Sequence, residues 1–283
     1  MLKQRVMTAI VMLLILLPAL FYPSAVPFNV IAAILISVAA WEWARLNGFV
    51  GWIAYLSGVA CLGICALAWW LGMLRQPFPL PTIWAIVGAV WVLGAAWLLK
   101  GGVPKWATIN PVVRLIGGVV MLSVAWLAVA QARVIGINFL MSLLVLVWVA
   151  DIFAYFVGRT FGAKVVRQKL APSISPGKSW EGVWGGMAGV LVLAWVWQVA
   201  DREFQSVVPS LYSHLLPKGG FVLLLAVLFL AAMSVAGDLV ESLVKRSAGV
   251  KDSSGLLPGH GGVLDRIDAL VPTVPLAMMF YFL

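Results

Sequence analysis

Asp238, Glu241, Ser242 and Lys245 fall at i, i+3, i+4 and i+7 in the stretch Gly237 to Arg246. On a helix that spacing gives one polar stripe along an otherwise apolar rod. A stripe that enters a bilayer usually faces a cavity, although a solvated helix end would carry the same pattern. Lys251 and Asp252 follow, then Pro258-Gly259-His260-Gly261-Gly262, then Asp265-Arg266-Ile267-Asp268. Glycines let a backbone approach a ligand closely. Asp265 and Asp268, one helical turn apart, could simply complement a helix dipole. Two carboxylates with a histidine, an arginine and a glycine loop exceed what capping requires, while His260 alone could be a structural loop residue. Mg2+ takes oxygen ligands and is commonly held by one or two carboxylates plus substrate phosphates.

Two stretches upstream supply complementary chemistry. Asp151 lies within the apolar run Leu146 to Val157, with Tyr155 four residues on and on the same helix face. A carboxylate inside a membrane helix is costly and marks a functional position by default; simple pairing with Arg159 is the plain alternative. Further on, Ser173-Ile174-Ser175-Pro176-Gly177-Lys178-Ser179 leads into Trp180-Glu181-Gly182. It shares Gly-Lys-Ser with the P-loop, but Pro172 stands where that motif needs its first glycine, and no strand precedes it. The loop still offers a lysine, hydroxyls and free N–H groups just before a helix, which suits a phosphate. An ordinary cytoplasmic turn is the alternative. Taken together, carboxylates for a divalent cation and cations for phosphates, reached from a bilayer, fit an enzyme acting on a phosphorylated lipid and a nucleotide.

The elements that must position these residues are long apolar runs. The chain has 283 residues, 63% hydrophobic and only 10% charged, with mean hydropathy +1.06. A soluble domain is roughly a quarter charged, and one so apolar would expose large patches. Continuous runs rather than short alternating segments exclude a transmembrane β-barrel. The expectation is an all-α, polytopic integral membrane protein with about nine transmembrane helices, near 6–22, 26–44, 51–73, 82–99, 112–130, 136–157, 183–200, 219–240 and 268–283. The last is short and could be tilted, half-inserted or packed on its neighbours. The first run follows Lys3 and Arg5 without a clear small-x-small cleavage site, so it is expected as an uncleaved span. Cys61 and Cys65, four apart with no partner ligands nearby, are expected to pack in the core.

With the N-terminus placed inside, fifteen of the 19 basic residues fall in inside segments, and only Arg75, Arg133, Arg202 and Lys218 fall outside. That is the positive-inside pattern. It accounts for the net charge of +9 without nucleic acid. The end of the chain then lies outside, and the long segments 158–182 and 241–267 lie in the cytoplasm. Nine of the ten acidic residues occur from Asp151 onward, Glu42 being the exception. Residues 1–135 are therefore expected to be a membrane scaffold of about five helices, and 136–283 a catalytic region of about four.

Ser242 to Asp268, reading SLVKRSAGVKDSSGLLPGHGGVLDRID, resembles the signature of the phosphatidate cytidylyltransferase family: Ser-x-apolar-Lys-Arg, four residues, Lys-Asp, then Pro-x-His-Gly-Gly-apolar-x-Asp-Arg-apolar-Asp. The stretches Asp151 to Gly162 and Ser175 to Gly186 also look like that family, whereas the first five spans match only in being hydrophobic. The resemblance implies a multi-span helical enzyme, a homodimer, that uses CTP, phosphatidate and Mg2+ to give CDP-diacylglycerol and pyrophosphate. The bacterial inner (cytoplasmic) membrane, with the site facing the cytoplasm, is the expected location.

On this reading Asp238, Lys245, Arg246, His260, Asp265, Arg266 and Asp268 carry catalysis. Asp151, Tyr155, Ser175, Lys178, Ser179, Glu181, Ser242, Lys251, Asp252, Gly261 and Gly262 bind substrate. Asp238 and Asp265 are the expected Mg2+ ligands, and Asp268 binds a second ion or orients Arg266. Direct attack on CTP is preferred to a cytidylyl intermediate on His260. Two rivals are weaker. The pattern of the CDP-alcohol phosphotransferases is not found, and a transporter would often show two related halves, whereas the acidic residues here crowd into one.

Overall fold

The computed structural model describes the backbone from Leu2 to Leu283 and side chains from Gln4 onward. Lys3, used in the charge count, therefore has its side chain outside the described residues. The elements are α1 (Leu2–Phe21), α2 (Val26–Leu46), α3 (Trp52–Trp70), α4 (Pro81–Ala107), α5 (Pro111–Ile135), α6 (Ile137–Phe161), α7 (Trp180–Glu203), α8 (Leu211–Leu215), α9 (Gly220–Ser247), α10 (Leu264–Ile267) and α11 (Leu270–Phe282). A single 3-10 turn, Leu216–Lys218, follows α8. The fold is all-α. The extended pairing among the described residues is two isolated bridges, Ala171 with Ser175 and Leu257 with Gly261, each pinching one of the two long loops.

Among the described residues eight helices, α1 to α7 and α9, are long and apolar enough to cross a membrane. Leu14, Leu93, Trp195 and Phe221 are among the large apolar side chains on their outer faces, which lipid accommodates and water does not. The chain is an integral membrane protein. The ninth expected span needs correcting. Residues 268–283 form the 13-residue α11, about 20 Å long and too short to cross alone. It packs instead inside the bundle against α4, α5 and α9, with Val271 to Met278 buried. A helix that is apolar all round belongs in a core, and hydropathy cannot distinguish that core from lipid.

Hydrogen bonds sort the connecting segments into two ends. At one end Thr8 Oγ donates to the Pro258 carbonyl (3.0 Å), Trp43 Nε1 to Arg114 O (2.9 Å), Trp106 Nε1 to Asn47 Oδ1 (3.1 Å) and Arg246 Nε to Ile174 O (3.3 Å). At the other, Arg133 donates to Leu20 O (3.0 Å) and Tyr22 O (2.6 Å), Asn138 Nδ2 to Asp201 (2.7 Å), and the His214 ring meets Tyr281 O (3.0 Å). Each segment that the charge pattern assigns to one side thus meets segments assigned to the same side. The end of α11 lies with the second group, where Tyr281 O meets the His214 ring.

Two close approaches set the site. Gly182, Gly185, Gly186 and Gly189 line the face of α7 against α6. A Cβ at Gly186 would lie 2.8 Å from Ala150 O, and one at Gly182 2.9 Å from Ala154 O. Small residues let membrane helices pack backbone to backbone, which brings Asp151 on α6 beside the loop that precedes α7. On α9, a Cβ at Gly237 would lie 2.6 Å from Asp268 O and 2.7 Å from Pro272 Cγ. That glycine lets the start of α11 press against α9. Cys61 and Cys65 are buried packing residues, as expected.

Single cysteines at Ser254 and Ser206, placed in a Cys61→Ala/Cys65→Ala background, should label from opposite sides of sealed vesicles. Labelling of both by an impermeant reagent added to one side would refute the two-ended arrangement.

Candidate active site

The last three turns of α9 present Asp238, Glu241, Ser242 and Lys245 on one side. Asp268, at the junction of α10 and α11, comes up against them through the close approach at Gly237. Carboxylate oxygens of Asp238, Glu241 and Asp268 all lie within 4.8 Å of one another. Ser242 Oγ donates to Asp238 Oδ1 (3.2 Å). Glu241 is buried, and neither of its oxygens accepts a hydrogen bond; its one partner among the described residues is the Lys245 ammonium. Such a carboxylate is costly. A hard cation is the partner its oxygens suit, so this donor set fits a divalent ion.

Asp265 does not join that triad. Its Oδ1 takes the Lys245 ammonium at 2.6 Å, and its Oδ2 takes the N–H groups of Gly262 (2.7 Å) and Ser253 (2.9 Å) and the Ser253 hydroxyl (2.8 Å). Burial pushes the Asp265 carboxyl upward, but these donors, Lys245 first, outweigh it and hold it near 2. Lys245 therefore stands between Glu241 and Asp265.

Lys178 Nζ pairs with Asp238 Oδ2 at 2.5 Å, so the loop before α7 meets the stripe on α9. A cavity of about 460 Å³ at this junction is lined by Asp151, Tyr155, Arg159, Ser175, Lys178, Ser179 and Asp238. Arg159 donates to the Tyr155 hydroxyl (2.9 Å) and makes no ion pair with Asp151, so the plain alternative for Asp151 does not hold. A second cavity, about 250 Å³ and strongly apolar, lies between α4, α5, α9 and α11. Trp43, Trp91, Leu98, Trp106 and Met121 line it, and it ends at Gly237, Glu241 and Asp268. The carboxylate triad thus touches both cavities.

Other expected site residues are placed differently. Ser179 caps α7, accepting from Gly182 N–H (3.2 Å), and Glu181 accepts from the N–H groups of Ala163 (3.3 Å), Val165 (3.0 Å) and Val166 (2.8 Å). Both shape the loop that carries Lys178. Arg246 ties the two loops together through Ile174 O and Val250 O. Lys251, Asp252 and Arg266 are exposed. His260 lines neither cavity, and its Nδ1 is buried with no hydrogen-bond partner among the described residues. Gly261 has φ +82°, and a Cβ there would lie 2.7 Å from Asp265 Oδ2; one at Gly262 would lie 2.7 Å from the Glu42 carboxyl carbon. These two glycines make room for carboxylates.

Glu42, on α2, is a contributor that the charge pattern had set aside with the scaffold. It is fully buried and bonded to the Ser253–Leu264 loop. The sequence did hold a signal: Glu42 is as isolated among apolar residues as Asp151, and the same rule about membrane carboxylates applies to both.

Fold and site are those of an integral membrane protein with a cluster of carboxylates and lysines at one end of its bundle. Comparison with known proteins gives the family. The chain matches the cytidylyltransferase family over residues 3–283 and belongs to it. It is 37% identical to a phosphatidate cytidylyltransferase of Pseudomonas aeruginosa, over 97% of this chain and 95% of that one. It is 36% identical to the Haemophilus influenzae phosphatidate cytidylyltransferase, over 100% and 99%. With the Bacillus subtilis protein of the same name, identity is 41% over 52% of this chain and 48% of that one.

Gly262→Ala should destabilise the protein by about 1–3 kcal/mol through overpacking and lower turnover. Gly255→Ala, where a Cβ meets nothing within 4 Å, should do neither. Equal unfolding temperatures in detergent for the two variants would remove the packing argument.

Proposed function

We propose that this chain is a phosphatidate cytidylyltransferase: CTP and phosphatidate give CDP-diacylglycerol and pyrophosphate. Family membership supports the reaction class. The observation that supports the two-substrate reading is the carboxylate triad lying between a polar cavity holding Lys178 and an apolar cavity open to acyl chains. Phosphatidate places its chains in the apolar cavity and its phosphate at the triad. The CTP phosphates enter the polar cavity, where Lys178, Arg159 and the Ser175 hydroxyl receive them.

A phosphatidate oxygen attacks the α-phosphorus of CTP in line. The new P–O bond forms as the bond to the β-phosphate oxygen breaks, and pyrophosphate leaves with the electron pair. The attacking phosphate is already ionised near neutral pH, so no strong general base is needed. His260 lies outside both cavity linings, which favours direct attack over a cytidylyl-histidine. Mg2+ would supply charge neutralisation and a bridge between phosphate oxygens. Asp238 and Asp265 are its proposed ligands, and Asp268 and Glu241 would lie beside it. Lys178 shifts from Asp238 to phosphate as the anions enter, and Tyr155 holds Arg159 in place.

On the same proposal, residues 1–135 act as scaffold and 136–283 as the catalytic region. The site faces the cytoplasm of a bacterial inner membrane, the active form is a homodimer, and nucleic acid is not a partner.

Purified protein given phosphatidate, Mg2+ and CTP labelled in the cytosine should move the label into lipid. Absence of labelled lipid, with the protein folded, would reject the reading. Asp238→Asn and Asp265→Asn each nearly preserve size while removing a charge, and each should lower kcat by about 100-fold or more or raise the Mg2+ requirement. Wild-type turnover with an unchanged Mg2+ titration in both would move the ion elsewhere. CTP chiral at the α-phosphorus should react with inversion; retention would mean a covalent intermediate.

A further inference from the structure

Glu42 is 0% exposed, near the end of α2, in a region otherwise without carboxylates. Its Oε1 accepts from the Ser254 hydroxyl (2.5 Å) and the Val263 N–H (3.0 Å). Its Oε2 accepts from the Leu264 N–H (2.7 Å) and lies 3.3 Å from the Ser253 hydroxyl. Among the described residues it has no ion pair. A buried carboxylate without a cation persists only where fixed donors replace its water. Its donors come from one loop, Ser254 at the entry and Val263 and Leu264 at the exit, while the single Ser253 hydroxyl proton points to the nearer Asp265. Glu42 thus closes Ser253–Leu264 from the scaffold side, with Gly259, His260, Gly261 and Gly262 inside the closure.

The contacts continue toward the site. Ser253 and Gly262, held against Glu42, supply three of the four donors to Asp265. Asp265 holds Lys245, and Lys245 pairs with Glu241 of the triad. Gly262 presses so near the Glu42 carboxylate that a Cβ would collide with it, so the loop is shaped to this side chain. The geometry points to Glu42 as a positioning residue: it fixes the loop whose donors orient Asp265 and, through Lys245, the carboxylate cluster. This rests on the cytidylyltransferase reading for what the site does, but the loop contact itself does not depend on it.

The test uses Glu42→Gln, which keeps the volume but sets an NH2 against one backbone N–H, of Val263 or of Leu264, whichever way the amide turns. The amides of Val263 and Leu264 should exchange hydrogen faster than in the wild type, while those of residues 163–179 stay unchanged. Turnover should fall about 10- to 100-fold, the scale expected when reacting groups are misplaced slightly, with KM for phosphatidate little altered. Glu42→Asp, which keeps the charge, should recover part of the loss. Trp126→Phe, which removes an α5–α2 hydrogen bond to Asn29 O (3.0 Å) far from the loop, serves as a matched destabilised control. Unchanged exchange at 263–264, or a fall in turnover no larger than in Trp126→Phe at a similar unfolding temperature, would overturn the proposal. If Glu42→Gln does not fold, Ser254→Ala removes one partner from the loop side and should show the same two effects in smaller measure; wild-type exchange and turnover there would also overturn it. Failure of the wild type to label lipid from CTP would count against the reaction alone, because the exchange measurement still judges the loop.

Discussion

Asp238, Glu241, Asp265 and Asp268 meet at one end of a helical bundle, and their mutual repulsion is the constraint around which the local structure is arranged. Two like charges about 4 Å apart repel by roughly 4 kcal/mol at an effective dielectric of about 20. The chain answers with two lysines. Lys178 pairs with Asp238, and Lys245 sits between Glu241 and Asp265. Asp265 gains three further donors from its own loop. Glu241 gains none beyond Lys245, so compensation is least complete in the triad itself. The place where charge is worst compensated is where an added cation, or a phosphate that draws a lysine away and a cation in, changes the balance most.

Holding such a cluster requires backbones to come closer than ordinary side chains permit. Gly237 lets Asp268 reach α9, and the glycine row of α7 lets α6 bring Asp151 to the Lys178 loop. The two site loops are tied to each other by Arg246 and to the scaffold by Glu42, while Glu181 holds the backbone just upstream of Lys178. Few of these ties involve a group that reaches a cavity. Much of what the motif residues do is to hold one another, so that a handful of side chains, the paired Asp238 and Lys178 foremost, line the polar cavity.

The spans were legible because lipid demands long apolar runs, and the side of each loop was legible because basic residues collect on one side. The stripe on α9 was legible from its spacing alone. Two things were not. Hydropathy does not separate a buried helix from a lipid-facing one, which is why α11 passed as a span. Glu42 carried a signal, a lone carboxylate among apolar residues, but its partners are more than 200 residues away, so no local pattern says which loop it holds. Both are matters of packing at long range that a one-dimensional signal does not carry.

The position of the triad between the two cavities also bears on specificity. A water-soluble triphosphate and a lipid phosphate are both anions, and neither would enter a dry bundle unaided. The polar cavity offers Lys178 and Arg159, and the apolar one ends on carboxylates without a basic residue at its base other than Arg114 in its wall. A lipid entering through the apolar cavity therefore brings its phosphate against Glu241 and Asp268, where repulsion opposes it until a cation is bound. A nucleotide entering on the Lys178 side meets attraction first. On the proposed reading, the difference in charge between the two cavities favours loading the triphosphate before the lipid. That order would follow from which side of α9 the Lys178 loop meets.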